Sequence, residues 1–195
     1  MTIMSILTEY ARVRDTPSDI NQHLSILRDY AWNQEHITEM GVRGVISTWA
    51  LLAGLPQRMI SYDIVHVDTS LVAEHAASAG IEYEFRRADV LLMNVIEETD
   101  LLFIDTLHTY AQLRGELAKH ADRVRKNGVI ILHDTVTYGH QDEPMYSHAS
   151  PLARPTYAGK AGLLMAIDEF IDTNNKWRIE LIRQNNNGLT VLRRD

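Results

Sequence analysis

The sequence has 195 residues, the usual size of one domain, and its 45% hydrophobic and 23% charged residues are typical of a globular protein. Its 26 acidic and 19 basic residues give a formal charge of -7, which disfavours general electrostatic attraction to nucleic acids and anionic membranes. Cysteine is absent, so disulfides, thiolate zinc sites and cysteine nucleophiles are excluded.

The N-terminal segment comes first in chain order. Residues 1–15 interrupt their apolar stretch with Glu9 and lack a signal-peptide cleavage motif, and no run of about 18 apolar residues occurs in the sequence. We therefore expect a cytoplasmic protein without a membrane partner. The apolar positions of residues 4–13 leave open a pairing between subunits of a homo-oligomer.

Strand-like and helical patterns alternate through most of the chain. The predicted strands are residues 36–44, 58–68, 81–89, 100–106 and 129–134. The predicted helices are residues 18–33, 45–56 with a cap near Ser47, 70–80, 89–98 with a cap at Asp89, 109–126 ended by Asn127 and Gly128, and 162–175. Such alternation predicts an α/β protein with helices on both faces of a parallel sheet.

The C-terminal pattern differs from this alternation. Residues 177–184 and 188–194 alternate like strands, and the turn sequence Asn-Asn-Asn-Gly between them indicates an antiparallel hairpin. The expected fold is therefore a doubly wound, mostly parallel sheet of seven strands with a C-terminal antiparallel hairpin. We expect one domain over residues 1–195, in which residues 1–34 form N-terminal helices.

Residues 135–160 have neither helical nor strand periodicity. A stretch of this length in a compact domain favours a lid over a site, with a disordered insertion as the alternative. Its tyrosines, Tyr138, Tyr146 and Tyr157, would suit stacking on a sugar or on an aromatic ring. The sequence does not distinguish between these two acceptors.

Polar residues follow the predicted strands, and ligands bind beyond the carboxyl ends of the strands in an open parallel sheet. Gly41 and Gly44 follow the first strand and would allow a close approach of the backbone to a ligand. Asp63 lies 19 residues beyond Gly44, where a carboxylate can accept the hydroxyls of a ribose. The complete glycine pattern of dinucleotide-binding proteins is absent, which favours an adenosyl ligand without phosphates.

The fourth and fifth strands are followed by a second polar group. Asp105 and Asp134 would meet at adjacent strand ends and could hold a hard cation such as Mg²⁺ with His133 nearby, or could serve as a hydrogen-bond acceptor and a cap. His108 would face the same cleft, and an imidazole has a pKa suited to proton abstraction near neutral pH. The remaining histidines near helices and strands, among them His23 and His120, are expected to be solvent-facing or capping.

Two sequence blocks resemble a known family. EMGVRGVIST, beginning at Glu39, resembles the first motif of class I S-adenosylmethionine-dependent methyltransferases, with Val45 or Ile46 where a glycine is expected. DLLFIDTLHTY followed by VIILHDT resembles the cephalosporin hydroxylase and rhamnosyl O-methyltransferase group. The resemblance extends over roughly residues 35–135.

The resemblance implies a role for each matching position. Glu39, Gly41, Gly44 and Ser47 would line the methionine end of S-adenosylmethionine, Asp63 the ribose, and Asp89 with Val90 the adenine. Asp105 and Asp134 would hold a magnesium-like ion, with His133 where a relative has an acidic ligand. His108 would be the general base, and without a metal His108 and His133 would act alone.

The resulting hypothesis is an S-adenosylmethionine-dependent O-methyltransferase that acts on a hydroxyl of a small molecule. A sugar or a natural-product scaffold is the expected acceptor, with or without assistance from a divalent cation. The alternatives are a nucleotide-sugar or nicotinamide-dependent enzyme and a non-catalytic binding protein with the same fold.

Overall fold

A computed structural model describes residues 3–154 and 159–195, so the predicted loop residue Tyr157 lies outside the described residues. The strands are β1 (His36–Met40), β2 (Arg58–Asp63), β3 (Glu82–Arg87), β4 (Thr99–Ile104), β5 (Val124–His133), β6 (Trp177–Arg183) and β7 (Leu189–Arg194). The α-helices are α1 (Ile3–Asp15), α2 (Leu24–Ala31), α3 (Ile46–Leu52), α4 (Ser70–Ser78), α5 (Tyr110–His120) and α6 (Leu163–Thr173). None of the helices in this described part of the chain is long and apolar enough to cross a membrane.

One seven-stranded sheet has the order β3-β2-β1-β4-β5-β7-β6. Strands β1 to β5 are parallel, whereas β7 pairs antiparallel with both β5 and β6. The predicted doubly wound sheet with a C-terminal antiparallel hairpin is therefore confirmed. The chain leaves β1 toward β2 and β3 and then returns to β4 on the other side of β1. Strands β1 and β4 thus flank the point where the strand order reverses, which is the usual ligand position in such a sheet.

Alternating residues of the central strands pack against two helical layers. On β4, Leu101 and Phe103 face the layer formed by α1 to α4, and Leu102 and Ile104 face the layer of α5 and α6. This period of two follows from the pleat of a strand, and full burial of each such side chain stabilises the fold by about 1.5–3 kcal/mol. Apolar contacts on both faces hold the sheet in place. The polar residues at the strand ends take no part in these contacts and are available for a site.

The predicted helix between β3 and β4 is wrong. Asp89 accepts a hydrogen bond from Leu91 N at 2.9 Å, as a helix cap would, but only one turn follows. The buried ring of His120 on α5 contacts the Val90 carbonyl at 2.9 Å and accepts from Ile96 N at 3.3 Å. These tertiary hydrogen bonds satisfy backbone groups that a second helical turn would have paired, and they attach the segment to α5.

Helix α5 ends earlier than predicted. It stops at His120, a 3₁₀ turn covers Ala121–Arg123, and β5 already begins at Val124. Asn127 does not terminate the helix but lies within β5 with a positive φ of 64°. The β4–β5 pairing shifts register between Thr99 and Leu101, so β5 begins with an irregular pairing that hydrophobic periodicity does not predict.

The prediction of solvent-facing helix histidines is wrong for His23 and His120. Both side chains are fully buried, and both contact backbone carbonyl oxygens at 2.9 Å, His23 that of Asn185 and His120 that of Val90. Burial lowers the pKa of each ring, against the opposite effect of the backbone hydrogen bonds. Each neutral ring therefore holds a loop in place, the hairpin turn for His23 and the β3–β4 segment for His120.

Candidate functional site

A cavity of 470 Å³ lies at the carboxyl ends of the central strands. The predicted site residues that line it are Gly41, Gly44, Ser47, Asp63, Asp89, Val90, Asp105 and His108. Three predicted site residues do not line this cavity: Glu39, His133 and Asp134. The cavity wall also includes Asp19 with Ile20, which sequence reasoning did not assign to the site. Part of the loop that the sequence predicts as a lid lines it as well, through Tyr146, His148, Ala149 and Ser150.

The turn between β1 and α3 brings backbone close to β4. Gly41 has a φ of +88°, and a Cβ atom there would lie 2.0 Å from the carbonyl oxygen of Asp105, so only glycine fits. Arg43 and Val45 also have positive φ, 43° and 55°, although neither is a glycine. Val45 directly precedes α3, and the predicted cap near Ser47 is wrong because Ser47 lies inside the helix.

Asp63, at the end of β2, is held by backbone donors of the neighbouring turn. Its Oδ2 accepts from Val42 N at 2.9 Å and Arg43 N at 3.1 Å, and its Oδ1 accepts from Val65 N at 3.0 Å. A carboxylate has about four lone-pair positions, so this group can still accept hydrogen bonds from ligand hydroxyls. The position fits the ribose role that the sequence predicts for Asp63.

Glu39 does not line the methionine end of the cavity as expected. The side chain is fully buried and accepts hydrogen bonds from Ser47 at 2.7 Å, Thr48 at 2.9 Å and Ser61 at 2.6 Å. Burial raises the pKa of Glu39 to about 7, although the three hydroxyls act in the opposite direction. Glu39 thus joins β1, β2 and α3 behind the turn and supports the site from inside.

His108 lies among three carboxylates. Its Nε2 is 3.1 Å from Asp105 Oδ1 and 3.1 Å from Asp134 Oδ2, and its Nδ1 is 2.9 Å from Glu143 Oε2. Burial alone would lower the pKa of His108, but the hydrogen bonds to Asp105 and Glu143 raise it to about 9. These partners thus favour the protonated form of the ring, and the role of His108 as general base stays a prediction.

Glu143 is a site residue that sequence reasoning missed. Its Oε2 accepts from the backbone N of His108 at 3.2 Å, and its own N donates to the carbonyl of His108 at 2.9 Å. The preceding residue, Asp142, accepts from Tyr110 N at 2.7 Å and so binds the first turn of α5. An acidic pair inside the irregular region was the available signal, but its partners lie about 30 residues earlier in the chain.

Three residues are placed so that they could ligate one cation. Ligand atoms of Asp105, His108 and Asp134 all lie within 4.8 Å of one another. His108 therefore replaces His133 in the predicted ligand set. His133 instead lies behind the cavity, with Nδ1 3.4 Å from Asp105 Oδ1 and Nε2 3.3 Å from the Asn186 carbonyl.

Comparison with known proteins gives one family and a set of related folds. Residues 38–135 match the family described as methyltransferase domain. None of the curated proteins that were compared matches the sequence significantly. Among solved structures, the chain is similar to the N-methyltransferase NodS from Bradyrhizobium japonicum WM9 in complex with S-adenosyl-L-homocysteine (14% identity, 98% of this chain and 97% of that chain, TM-score 0.61).

Two O-methyltransferases have the same fold. The chain is similar to the Bacillus cereus O-methyltransferase in complex with S-adenosylhomocysteine (18% identity, 99% of this chain and 90% of that chain, TM-score 0.60). It is also similar to TomG from Streptomyces achromogenes, an O-methyltransferase involved in tomaymycin synthesis, in complex with S-adenosylmethionine (16% identity, 97% and 89%, TM-score 0.61). At these identities the likeness shows the fold alone, and N- and O-methyltransferases share it.

Proposed function

The chain belongs to the methyltransferase domain family and is an S-adenosylmethionine-dependent methyltransferase; we propose that it methylates a hydroxyl oxygen of a small molecule. The family match agrees with the resemblance to class I methyltransferases in the sequence motifs. The choice of oxygen as the acceptor atom and of a small molecule as the acceptor is the proposal.

One observation carries this proposal: a single cavity is lined by the turn with Gly41 and Gly44, by Asp63 and Asp89, and by His108. His108 and the three carboxylates around it, those of Asp105, Asp134 and Glu143, are called the His108 cluster. Its volume of 470 Å³ lies within the range of about 300–1,000 Å³ that is usual for small-molecule sites. In this arrangement Gly41 and Gly44 would contact the methionine end of the cofactor, Asp63 the ribose, and Asp89 with Val90 the adenine. The His108 cluster would then lie near the reacting methyl group.

His108 and the carboxylates around it can take up the proton that the acceptor hydroxyl loses. The sulfonium cofactor supplies an already reactive methyl group, so the protein contributes mainly positioning and a place for this proton. We propose the unprotonated form of His108 as the base, because His108 lines the cavity, and Asp105 and Asp134 beside its Nε2 would stabilise the imidazolium that forms.

The donor set also fits a divalent cation. Two carboxylates and an imidazole, those of Asp105, Asp134 and His108, are suitable ligands, and the free Oδ1 of Asp134 provides a further oxygen. A bound ion would act as a Lewis acid that lowers the pKa of the acceptor hydroxyl. His108 can ligate a metal only when its Nε2 is unprotonated, so a cation and a proton compete for this atom.

A pair of stacked rings supports a cyclic acceptor. Tyr146 and His148 line the cavity, and their ring centroids are 5.6 Å apart with an interplanar angle of 11°. Such a flat surface would suit the face of a sugar ring or an aromatic ring of a natural product. We therefore propose a hydroxylated cyclic compound as the acceptor.

We also propose that the described part of the loop over residues 135–160 covers the cofactor. Ala149 and Ala153 pack against Leu91 and Leu107, next to the cavity. Together with the bond of Glu143 to His108, these contacts support a lid that completes the site. A lid of this kind would exclude water from the sulfonium.

Two measurements test the proposed function. Isothermal titration calorimetry with S-adenosylhomocysteine should show binding to the folded protein, and its absence would contradict the proposal. Methyl transfer from labelled S-adenosylmethionine is then measured with a panel of hydroxylated sugars and phenols, with and without a chelator.

We expect His108→Ala to lower the rate at least about 100-fold, as removal of a positioned catalytic group does, while His140→Ala at an exposed loop position leaves it unchanged. Binding of nucleotides or sugars without any methyl transfer would instead favour the non-catalytic alternative.

A further inference from the structure

The imidazole of His108 is held by residues of the loop over residues 135–160. Oε2 of Glu143 lies 2.9 Å from Nδ1 of the ring and accepts from the backbone N of His108 at 3.2 Å. The backbone N of Glu143 in turn donates to the carbonyl oxygen of His108 at 2.9 Å. The ring of Tyr138 is stacked on the imidazole, with centroids 5.1 Å apart and an interplanar angle of 3°. This loop therefore fixes one edge and one face of the imidazole.

The contact of Glu143 with the ring comes in addition to a separate anchor of the same loop. Oδ1 of Asp142, the preceding residue, accepts from Tyr110 N at 2.7 Å and from Gly162 N at 2.8 Å. The side chains of Glu143 and His108 are 10% and 12% exposed, so their contact lies largely out of solvent. Of the two neighbouring acids, Asp142 thus attaches the loop to the backbone of the fold, and Glu143 contacts a side chain of the site.

The contact at Nδ1 determines which nitrogen of His108 can exchange a proton at the cavity. Both carboxylate oxygens near Nε2, Oδ1 of Asp105 and Oδ2 of Asp134, are shared with the ring of His133. The carboxylate of Glu143 is instead kept at Nδ1 by the two backbone hydrogen bonds between Glu143 and His108, and a carboxylate can only accept there. The hydrogen bond of one imidazole nitrogen sets the proton on the other, so Nδ1 keeps its proton and Nε2 is the nitrogen that can take one up.

The second oxygen of Glu143 connects the imidazole to the cavity wall. The hydroxyl of Tyr146 donates to Oε1 of Glu143, while Oε2 holds Nδ1 of His108. Tyr146 lines the cavity, and its ring is stacked with that of His148. A single carboxylate thus joins the flat surface proposed for the acceptor to the base proposed for the reaction.

We infer that Glu143 is a positioning residue for methyl transfer, which orients His108 and couples this orientation to the acceptor through Tyr146. This inference rests on the proposed function and adds the residue through which the lid and the base act together. When the loop lies against residues 105–110, Nδ1 has its partner and Nε2 is directed toward Asp105 at 3.1 Å. A displaced loop would leave the imidazole without its partners on one edge and one face, so closure of the lid completes the base.

Steady-state kinetics test this role, with the most reactive sugar or phenol of the panel as the acceptor. For Glu143→Ala we expect kcat to fall at least about tenfold, while the affinity for S-adenosylhomocysteine in calorimetry changes by less than about twofold. Glu143→Gln keeps an oxygen that can accept from Nδ1 and should retain more of kcat than Glu143→Ala. Tyr146→Phe keeps the ring but removes the hydroxyl, so kcat should fall about threefold or more while KM for the acceptor changes by less than about twofold.

Two control variants separate positioning from a purely structural role. Asp142→Ala removes the other anchor of the loop and should lower kcat less than Glu143→Ala does. Glu169→Ala is the matched control and should leave kcat unchanged, since Glu169 also accepts from a tyrosine hydroxyl, that of Tyr110 at 2.6 Å, but lies on α6 outside the cavity wall. An unchanged kcat in Glu143→Ala, or an equal loss in Asp142→Ala, overturns the positioning role, and an unchanged kcat in Tyr146→Phe overturns the coupling to the acceptor. Absence of methyl transfer by the wild-type protein with every acceptor overturns the proposed function and this inference with it, so the two failures are distinguishable.

Discussion

Three acidic side chains in or behind the site have different hydrogen-bond partners. Glu39 is surrounded by three hydroxyl donors, Asp63 by backbone N–H groups, and Asp105 by His108 and His133. Burial raises the pKa of Glu39, whereas for Asp105 the hydrogen bonds from the two histidines outweigh burial and lower the pKa. Burial and hydrogen-bond partners therefore shift the pKa values of Glu39 and Asp105 in opposite directions.

Alanine substitutions at Gly41 and Gly44 test the close contact between the turn after β1 and the backbone of Asp105. Gly41→Ala would place a Cβ atom 2.0 Å from the Asp105 carbonyl at a φ of +88°, whereas a Cβ at Gly44 meets nothing closer than 3.8 Å. We expect Gly41→Ala to lower the free energy of unfolding by about 3 kcal/mol or more and Gly44→Ala by less than about 1 kcal/mol. Urea unfolding measures both, and equal effects would show that the turn can move away from β4.

Glu116 on α5 is a second buried acid, and it predicts a pH dependence of stability. Its Oε1 accepts from Thr106 at 2.7 Å and Gln112 at 2.6 Å, while Oε2 is buried without a hydrogen-bond partner among the described residues. Burial raises the pKa of Glu116 to about 7 despite these two hydrogen bonds. The folded state therefore binds a proton that the unfolded state has released, and stability falls as the pH rises toward 7.

We expect Glu116→Gln to remove this pH dependence. Between pH 6 and pH 8.5, the unfolding free energy of the wild type should fall relative to that of the variant by roughly 1 kcal/mol. Urea unfolding at the two pH values measures the difference, and Glu9→Gln on α1 serves as the control. A constant difference between Glu116→Gln and the wild type would show that folded Glu116 does not titrate between these pH values and would contradict the prediction.

The turn between β6 and β7 forms hydrogen bonds with segments outside this hairpin. Asn186 has a left-handed φ of 47°, and its side chain binds the backbone on both sides of Asp19. His23 and His133 also contact the Asn186 carbonyl, at 3.2 and 3.3 Å. This element thus connects the N-terminal segment to the polar cluster at the end of β5.

Asn186→Gly isolates the contribution of the side chain at this turn. Glycine accepts the left-handed conformation, so the variant loses the two side-chain hydrogen bonds without backbone strain. We expect a loss of about 1–3 kcal/mol of unfolding free energy, measured by urea denaturation. Asn187→Gly, at a neighbouring left-handed position with a φ of 68°, should cost less than about 0.5 kcal/mol. Equal losses for the two variants would mean that the contact with the N-terminal segment is energetically unimportant.

Element boundaries were predictable where local signals and tertiary contacts agree. The Asn-Asn-Asn-Gly turn is the connection between β6 and β7, because its residues tolerate positive φ. The segment after Asp89 has a cap and apolar residues but forms no helix. Its backbone partners come from His120, Lys119 and Arg123, about 30 residues away, and local periodicity does not report them.

At the scale of the whole molecule, the strand order brings the predicted residues together. Asp63 ends β2, Asp89 follows β3, and Asp105 and His108 both follow β4, yet all four line one cavity. The sequence predicts this because the carboxyl ends of parallel strands share one edge of the sheet. The same reasoning also placed Glu39, His133 and Asp134 at this cavity, which none of them lines, since it does not distinguish residues at that edge from those packed behind it.

The sequence by itself determined the fold class, the glycine turn and the strand-end residues, because hydrophobic periodicity and turn chemistry are local properties of the chain. Only the tertiary structure decided that Glu143 binds His108, that three carboxylates surround its ring, and that Asp19 faces Arg43. These features depend on burial and on contacts between distant segments, and both arise only when the helical layers and the long loop pack onto the sheet.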